Sequence, residues 1–145
     1  MRKSDSMYSK DQLIGIILSL AKNEIHVSKD NTTRIGYRVR LKVSFRGGAK
    51  MLQAIQRTLL QHNIESKYKE KEHKTRPRPI LMVTGKKNLT RICELLPRHL
   101  PDVRDSWDTF REAVDIFDRN LQHTMNGLER MIELKNPEAE ILSVV

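Results

Sequence analysis

The alternation of apolar and polar positions is clearest over Ile35–Phe45 (IGYRVRLKVSF), where Tyr37, Val39, Leu41, Val43 and Phe45 share one side. Arg38, Arg40, Lys42 and Ser44 share the other. A period of two, with β-branched and aromatic residues on one side only, predicts a half-buried strand. Lys22–Lys29 repeats the pattern more weakly through Ile25 and Val27, and the turn residues Asp30-Asn31-Thr32-Thr33 separate the two runs. Ile64–Lys71 and Ile80–Thr84 predict a second pair of strands, joined by the basic, proline-containing stretch His73–Pro79.

Helical periodicity fills the intervals. Asp11–Ala21 (DQLIGIILSLA) is apolar on nearly every side, as expected of a helix enclosed between two surfaces. After the Gly47-Gly48 break, Ala49–His62 places Met51, Leu52, Ile55, Leu59 and Leu60 on one side. Lys86–Leu96 turns Leu89, Ile92, Cys93 and Leu96 inward. Trp107–Lys135 carries Trp107, Phe110, Val114, Phe117, Leu121, Leu128 and Met131 at spacings of three, four or seven, which predicts one long amphipathic helix with Asn126-Gly127 as its weak point. The order helix, strand, strand, helix, strand, strand, helix, helix contains an approximate α-β-β repeat. It implies an α+β fold with helices packed on an antiparallel sheet. A single domain over residues 11–135 is expected, with tails at 1–10 and 136–145.

Charge changes the picture from fold to partner. The chain has 27 Lys and Arg against 18 Asp and Glu, a net of +9. Residues 1–100 hold 22 basic and 8 acidic residues, whereas residues 101–145 hold 5 and 10. That segregation points to a polyanion-binding surface in the first hundred residues. The polar strand sides supply it: Arg38, Arg40, Lys42, Lys67, Lys69 and Lys71, joined by Glu24, His26, Ser28 and Ser44. Like charges on adjacent strands repel, so a polyanion would relieve the arrangement. The connection adds Lys74, Arg76 and Arg78 within reach of phosphates.

Little in the sequence suggests catalysis. His26, His62, His73, His99 and His123 lack metal-ligand spacing, and no Ser, His and carboxylate form a recognisable triad. Gly85-Lys86-Lys87 lacks the glycine spacing of a phosphate loop. No cofactor and no catalytic or metal-binding residue is assigned. The single cysteine, Cys93, excludes an internal disulfide and fits a reducing compartment, cytoplasmic or nucleoid-associated. The apolar run Leu13–Leu18 is too short to span a bilayer, so no membrane partner is expected.

The element order resembles the LAGLIDADG homing-endonuclease fold, αββαββα with further C-terminal helices, over about Asp11–Lys135. Leu13-Ile-Gly-Ile-Ile-Leu-Ser-Leu-Ala21 aligns with the signature helix of that family without a gap. Ile80-Leu-Met-Val-Thr-Gly-Lys-Lys-Asn-Leu89 resembles its last strand and following helix. The resemblance implies a homodimer joined through Leu13, Gly15, Ile16, Ile17 and Leu20, each subunit laying its sheet on duplex DNA. It also implies a departure in chemistry. The metal-binding carboxylate of the family falls on Leu20, its other acidic position falls on Leu18, and the expected basic residue has no match near Arg98–Val103. A hydrocarbon cannot hold Mg²⁺. The expected function is therefore DNA binding without cleavage, in a regulatory or DNA-organising role. The alternatives are an active endonuclease that recruits Mg²⁺ through another acid such as Glu24, and an RNA-binding, maturase-like protein.

Overall fold

The computed structural model describes residues 7–97 and 105–135. Ser9 opens the first helix with a reciprocal cap: its hydroxyl accepts from the Gln12 amide at 3.1 Å, and the Gln12 side chain accepts from the Ser9 amide at 2.9 Å. Helix α1 (Lys10–Leu20) then turns Leu13 and Ile17 fully out of water. The segment just before it is already part of the domain, because the Tyr8 amide donates to the Thr58 hydroxyl at 2.9 Å. Of the expected N-terminal tail, residues 7–10 are thus anchored. The expected C-terminal tail and the segment Arg98–Val103 lie outside the described residues.

Two strands follow, β1 (Lys22–Lys29) and β2 (Tyr37–Arg46), paired antiparallel with Ile25 opposite Leu41 and Val27 opposite Val39. After Gly47-Gly48 comes α2 (Ala49–Gln61), which sends Leu52, Ile55 and Leu59 into the core. Asn63 in a left-handed conformation ends the turn, and Ile64 is fully buried behind it. Strands β3 (Lys67–Lys69) and β4 (Ile80–Val83) complete a four-stranded antiparallel sheet of order β1-β2-β4-β3. Helix α3 (Lys86–Leu95) starts from Gly85, whose φ of +95° favours glycine.

One core occupies the space between the sheet and the helices. Val39, Leu41, Val43 and Phe45 of β2 and Leu81 and Val83 of β4 meet Leu13, Ile17, Leu52, Ile55, Leu89 and Ile92. Each fully buried leucine or isoleucine contributes about 2 kcal/mol relative to exposure. Trp107 and Phe110 extend the core, their rings edge to face at 5.8 Å. Among the described residues, no helix is long and apolar enough to cross a membrane.

Three expectations are corrected. The strand over Ile64–Lys71 shrinks to Lys67–Lys69, which leaves Lys71 in the following loop. Leu60 faces outward and is 60% exposed. The long C-terminal helix is two helices, α4 (Asp105–Asp118) and α5 (Met125–Lys135), with a 3₁₀ turn at Leu121–His123 between them. The break is not at Asn126-Gly127. Asn120 adopts a left-handed conformation, and the Thr124 hydroxyl accepts from the Gly127 amide at 3.0 Å to restart the helix. Gly127 is inside α5 because nothing larger fits: a Cβ there would stand 1.8 Å from the Leu121 carbonyl oxygen.

Gly127→Ala is therefore expected to destabilise the fold by roughly 1–3 kcal/mol, since backbone rather than a flexible side chain must yield. Urea unfolding checks it, and an unchanged midpoint would show that the α4–α5 junction is not packed this tightly.

Candidate nucleic-acid interface

Because β2 buries its odd-numbered residues, its even-numbered residues emerge on the side of the sheet that none of the described helices covers. The register assembles a surface from them. Across β1 and β2, Glu24 stands opposite Lys42, His26 opposite Arg40, and Ser28 opposite Arg38. Toward the other edge, Ser44 is opposite Met82, and Met82 opposite Lys67. Arg46 is opposite Ile80, and Ile80 opposite Lys69. The expected cations Arg38, Arg40, Lys42, Lys67 and Lys69 thus share one face with Glu24, His26 and Ser28.

Ser44 lies on this face but is only 1% exposed. It sits beneath Arg46, whose Nη1 donates to its hydroxyl at 3.3 Å, so it has no surface to offer a ligand. Ile80 is likewise on the open face, outside the main core cluster, and 1% exposed. Lys71, Lys74, Arg76 and Arg78 are all exposed on the loop between β3 and β4, beyond the end of the sheet. That loop is folded on itself: the Glu72 amide donates to the Arg78 carbonyl at 2.8 Å, and His73 and Arg76 exchange backbone bonds at 3.0 Å.

Arg46, which no sequence pattern singles out, ties the loop to the sheet. Its Nε and Nη2 donate to the two Glu72 oxygens at 2.8 and 2.7 Å, a bidentate pair. Those hydrogen bonds hold the Glu72 carboxyl down to about 2. The clue in the sequence is weak, a single arginine ending the polar row of β2 with its partner 26 residues away.

Two further carboxylates are set among the cations. Glu24 Oε1 is 3.4 Å from Lys42 Nζ and 3.8 Å from His26 Nε2, and Glu24 Oε2 is 3.6 Å from Lys22 Nζ. Partial burial opposes ionisation of Glu24, but the Lys42 and Lys22 ammonium groups outweigh it and leave its pKa below the ordinary value. Asp30, at the end of β1, accepts from the Thr32 amide at 2.9 Å and lies 3.6 Å from Arg38 Nε. The Thr32 hydrogen bonds, more than Arg38, depress its pKa.

The helix expected to meet a partner divides differently. Leu13 and Ile17 are fully enclosed in this chain's own core, so neither has surface for a second copy. The outward side of α1 presents Gly15 and Ser19, with Ile16 partly covered and Leu20 49% exposed. A Cβ on Gly15 would meet nothing within 4 Å, and the Ser19 hydroxyl donates to the Gly15 carbonyl at 2.7 Å. Leu18 and Leu20, at the C-terminal end of α1, have hydrocarbon side chains with no oxygen to ligate a cation. Among the described residues, no three His, Cys, Asp or Glu side chains gather closely enough to hold a metal ion.

No protein-family model matches the chain, and no curated protein matches it. Solved structures do. The homing endonuclease I-TnaI superposes with a TM-score of 0.73 at 17% identity, over 92% of this chain and 90% of that one. The archaeal intron-encoded homing endonuclease I-Vdi141I, complexed with DNA, gives 0.77 at 15% identity over 93% and 91%. The I-LtrWI LAGLIDADG homing endonuclease, bound to target DNA, gives 0.75 at 17% identity over 92% of this chain but only 45% of its own length. With its four-stranded antiparallel sheet, element order and C-terminal helices, the chain has the LAGLIDADG homing-endonuclease fold.

Proposed function

We propose that this protein binds duplex DNA with the open face of its sheet, as a two-fold pair joined through α1, and does not cut the strand it holds. The observation that carries the reading is the predominantly cationic sheet face: Arg38, Arg40, Lys42, Lys67 and Lys69 project from the side that none of the described helices covers. A twisted antiparallel sheet fits the major groove, and cations at its rim meet phosphates. Two of the similar structures are DNA complexes. The pairing is supported by lengths, since this chain spans nearly all of two similar structures and under half of a third. A fold that occurs both as a whole chain and as half of a longer one is suited to work in twos.

The leucines at the end of α1 argue against cleavage. Two-metal phosphodiester hydrolysis needs carboxylate oxygens around the dication, and Leu18 and Leu20 do not fit one. Glu24 is no substitute, because it is already engaged by Lys42, Lys22 and His26. A regulatory or DNA-organising role follows from holding a site without cutting it.

Arg38→Ala with Arg40→Ala is expected to weaken duplex binding and to reduce the slope of log affinity against log salt by about two, close to one for each phosphate no longer neutralised. An unchanged slope would remove the sheet from the interface, and tighter binding to structured RNA than to duplex would favour the maturase-like alternative.

Gly15→Leu is expected to dissociate the pair while leaving each subunit folded, because the space over Gly15 is open within the subunit. Sedimentation separates the states, and a wild-type monomer at micromolar concentration would rule the pairing out.

Binding is expected to be indifferent to EDTA, and Mg²⁺ to produce no scission of a bound duplex. Nicking by the wild type, abolished by EDTA and by Glu24→Gln, would establish the endonuclease instead.

A further inference from the structure

Lys71, Lys74, Arg76 and Arg78 are exposed on the loop between β3 and β4. A loop with that many cations attracts phosphates in any conformation, but it must be ordered before it can hold them. Much of the ordering is already done. The Glu72 amide donates to the Arg78 carbonyl at 2.8 Å and closes the base of the loop, and His73 and Arg76 pair their backbones inside it. At the tip the Thr75 amide donates to His73 Nδ1 at 3.2 Å. The loop is thus a closed unit, joined to the sheet by one chain crossing after Lys69 and one before Ile80. Such a unit can swing about those crossings unless a side chain stops it. Arg46, the last residue of β2, takes both Glu72 oxygens with Nε and Nη2 at 2.8 and 2.7 Å and sets its Nη1 on the Ser44 hydroxyl. All three guanidinium nitrogens are engaged, so Arg46 serves as a fixed post and not as a phosphate ligand.

We propose that Arg46 and Glu72 are positioning residues for duplex binding: they hold the β3–β4 loop at one attitude to the sheet, so that its cations meet the phosphate backbone without a further loss of loop freedom. This rests on the duplex-binding reading above and adds to it the device that orders contacts beyond the sheet. It makes an acid a contributor to affinity for a polyanion. Charge alone gives the opposite sign, because Glu72 also faces Arg76 and Lys42 and offsets them, and its removal would make the surface more positive. One substitution therefore separates placement from charge. The pair is partly exposed, and its loss costs the fold little.

The test compares the wild type with Glu72→Ala, with the double change Arg46→Ala and Glu72→Ala, and with the swap Arg46→Glu and Glu72→Arg. The first gains one positive charge, and the other two keep the wild-type net charge. Duplex affinity and its salt slope are measured for each. Trypsin reports the loop without DNA, since it cuts after Lys71 and Lys74 and spares the Arg76–Pro77 and Arg78–Pro79 bonds. Glu72→Ala is expected to bind roughly five- to a hundredfold more weakly despite its added charge, the scale of immobilising two long side chains on binding. Cleavage of the free protein after Lys71 and Lys74 should quicken with it. The double alanine should behave alike, and the swap should recover protection and affinity together. Thermal melting checks that each variant is folded, and Glu72→Ala decides the matter if the double changes are not. Tighter binding by Glu72→Ala overturns the inference while DNA binding stands, and so does weaker binding with unchanged cleavage of the loop. If the wild type fails to bind duplex at all, the functional reading falls and this inference with it.

Discussion

Strand β2 sits inside the sheet, bonded to β1 on one side and β4 on the other, and its register decides what every other surface of the protein can be. Its odd-numbered residues, Val39 to Phe45, are buried against the helices. A slip of one residue would send them to water and drive Arg38, Arg40 and Lys42 into the core, exposing apolar area and stranding unpaired charge. The hydrophobic side thereby enforces the cationic side. The open face need not be stable on its own terms, because the free energy that holds it comes from the layer beneath.

Repulsion within that face is moderated by three carboxylates, each in a different way. Glu24 pairs across strands with Lys42, Asp30 ends β1 beside Arg38, and Glu72 grips Arg46 with both oxygens. All three have folded pKa values below their ordinary ones, Glu72 down to about 2. A depressed folded value means that each contribution is present above the unfolded pKa and disappears as pH falls through the folded one. For Glu72 that window runs from about 4.5 down to about 2, so the loop stays tied to the sheet through mildly acidic conditions. All three side chains are partly buried while their cationic partners reach solvent, and their main effect is placement of those cations.

How much of this is legible in the sequence depends on the range of the signal. The period of two in β2 and the apolar spacing of α2 and α3 are local, repeated patterns, and the elements stand where those patterns put them. The break between α4 and α5 escapes such a reading because the apolar positions Trp107, Phe110, Val114, Leu128 and Met131 keep helical spacing across it. The signals that end and restart the helix are single residues, Asn120 and Thr124, and the glycine that looks like a weak point is there for close packing. The Arg46–Glu72 clamp is out of reach for another reason: nothing local distinguishes one arginine or one glutamate among many. In α1, an all-round apolar pattern cannot tell which stripe serves the core. Leu13 and Ile17 take that role and leave Gly15, Ser19 and Leu20 outside.

That division of α1 bears on why leucine can stand at the end of this helix. Two carboxylates facing each other across a two-fold axis would repel unless a cation neutralised them. Leucine at the same place carries no such repulsion. Leu20 is 49% exposed in the single subunit, and any cover over it is favourable at about 25 cal/mol per Å² of apolar surface removed from water. On the proposed pairing, the two Leu20 side chains approach each other without charge, and association needs no ion. On the same proposal the residue at the end of α1 does not bear on the sheet face, because the two lie on different elements. The residues of β1 and β2 that would meet base edges are set by the sheet register, and nothing in that register passes through the end of α1. On the proposed reading, what stands at the end of α1 can change without altering the sheet face, and Leu20 there would favour the pairing.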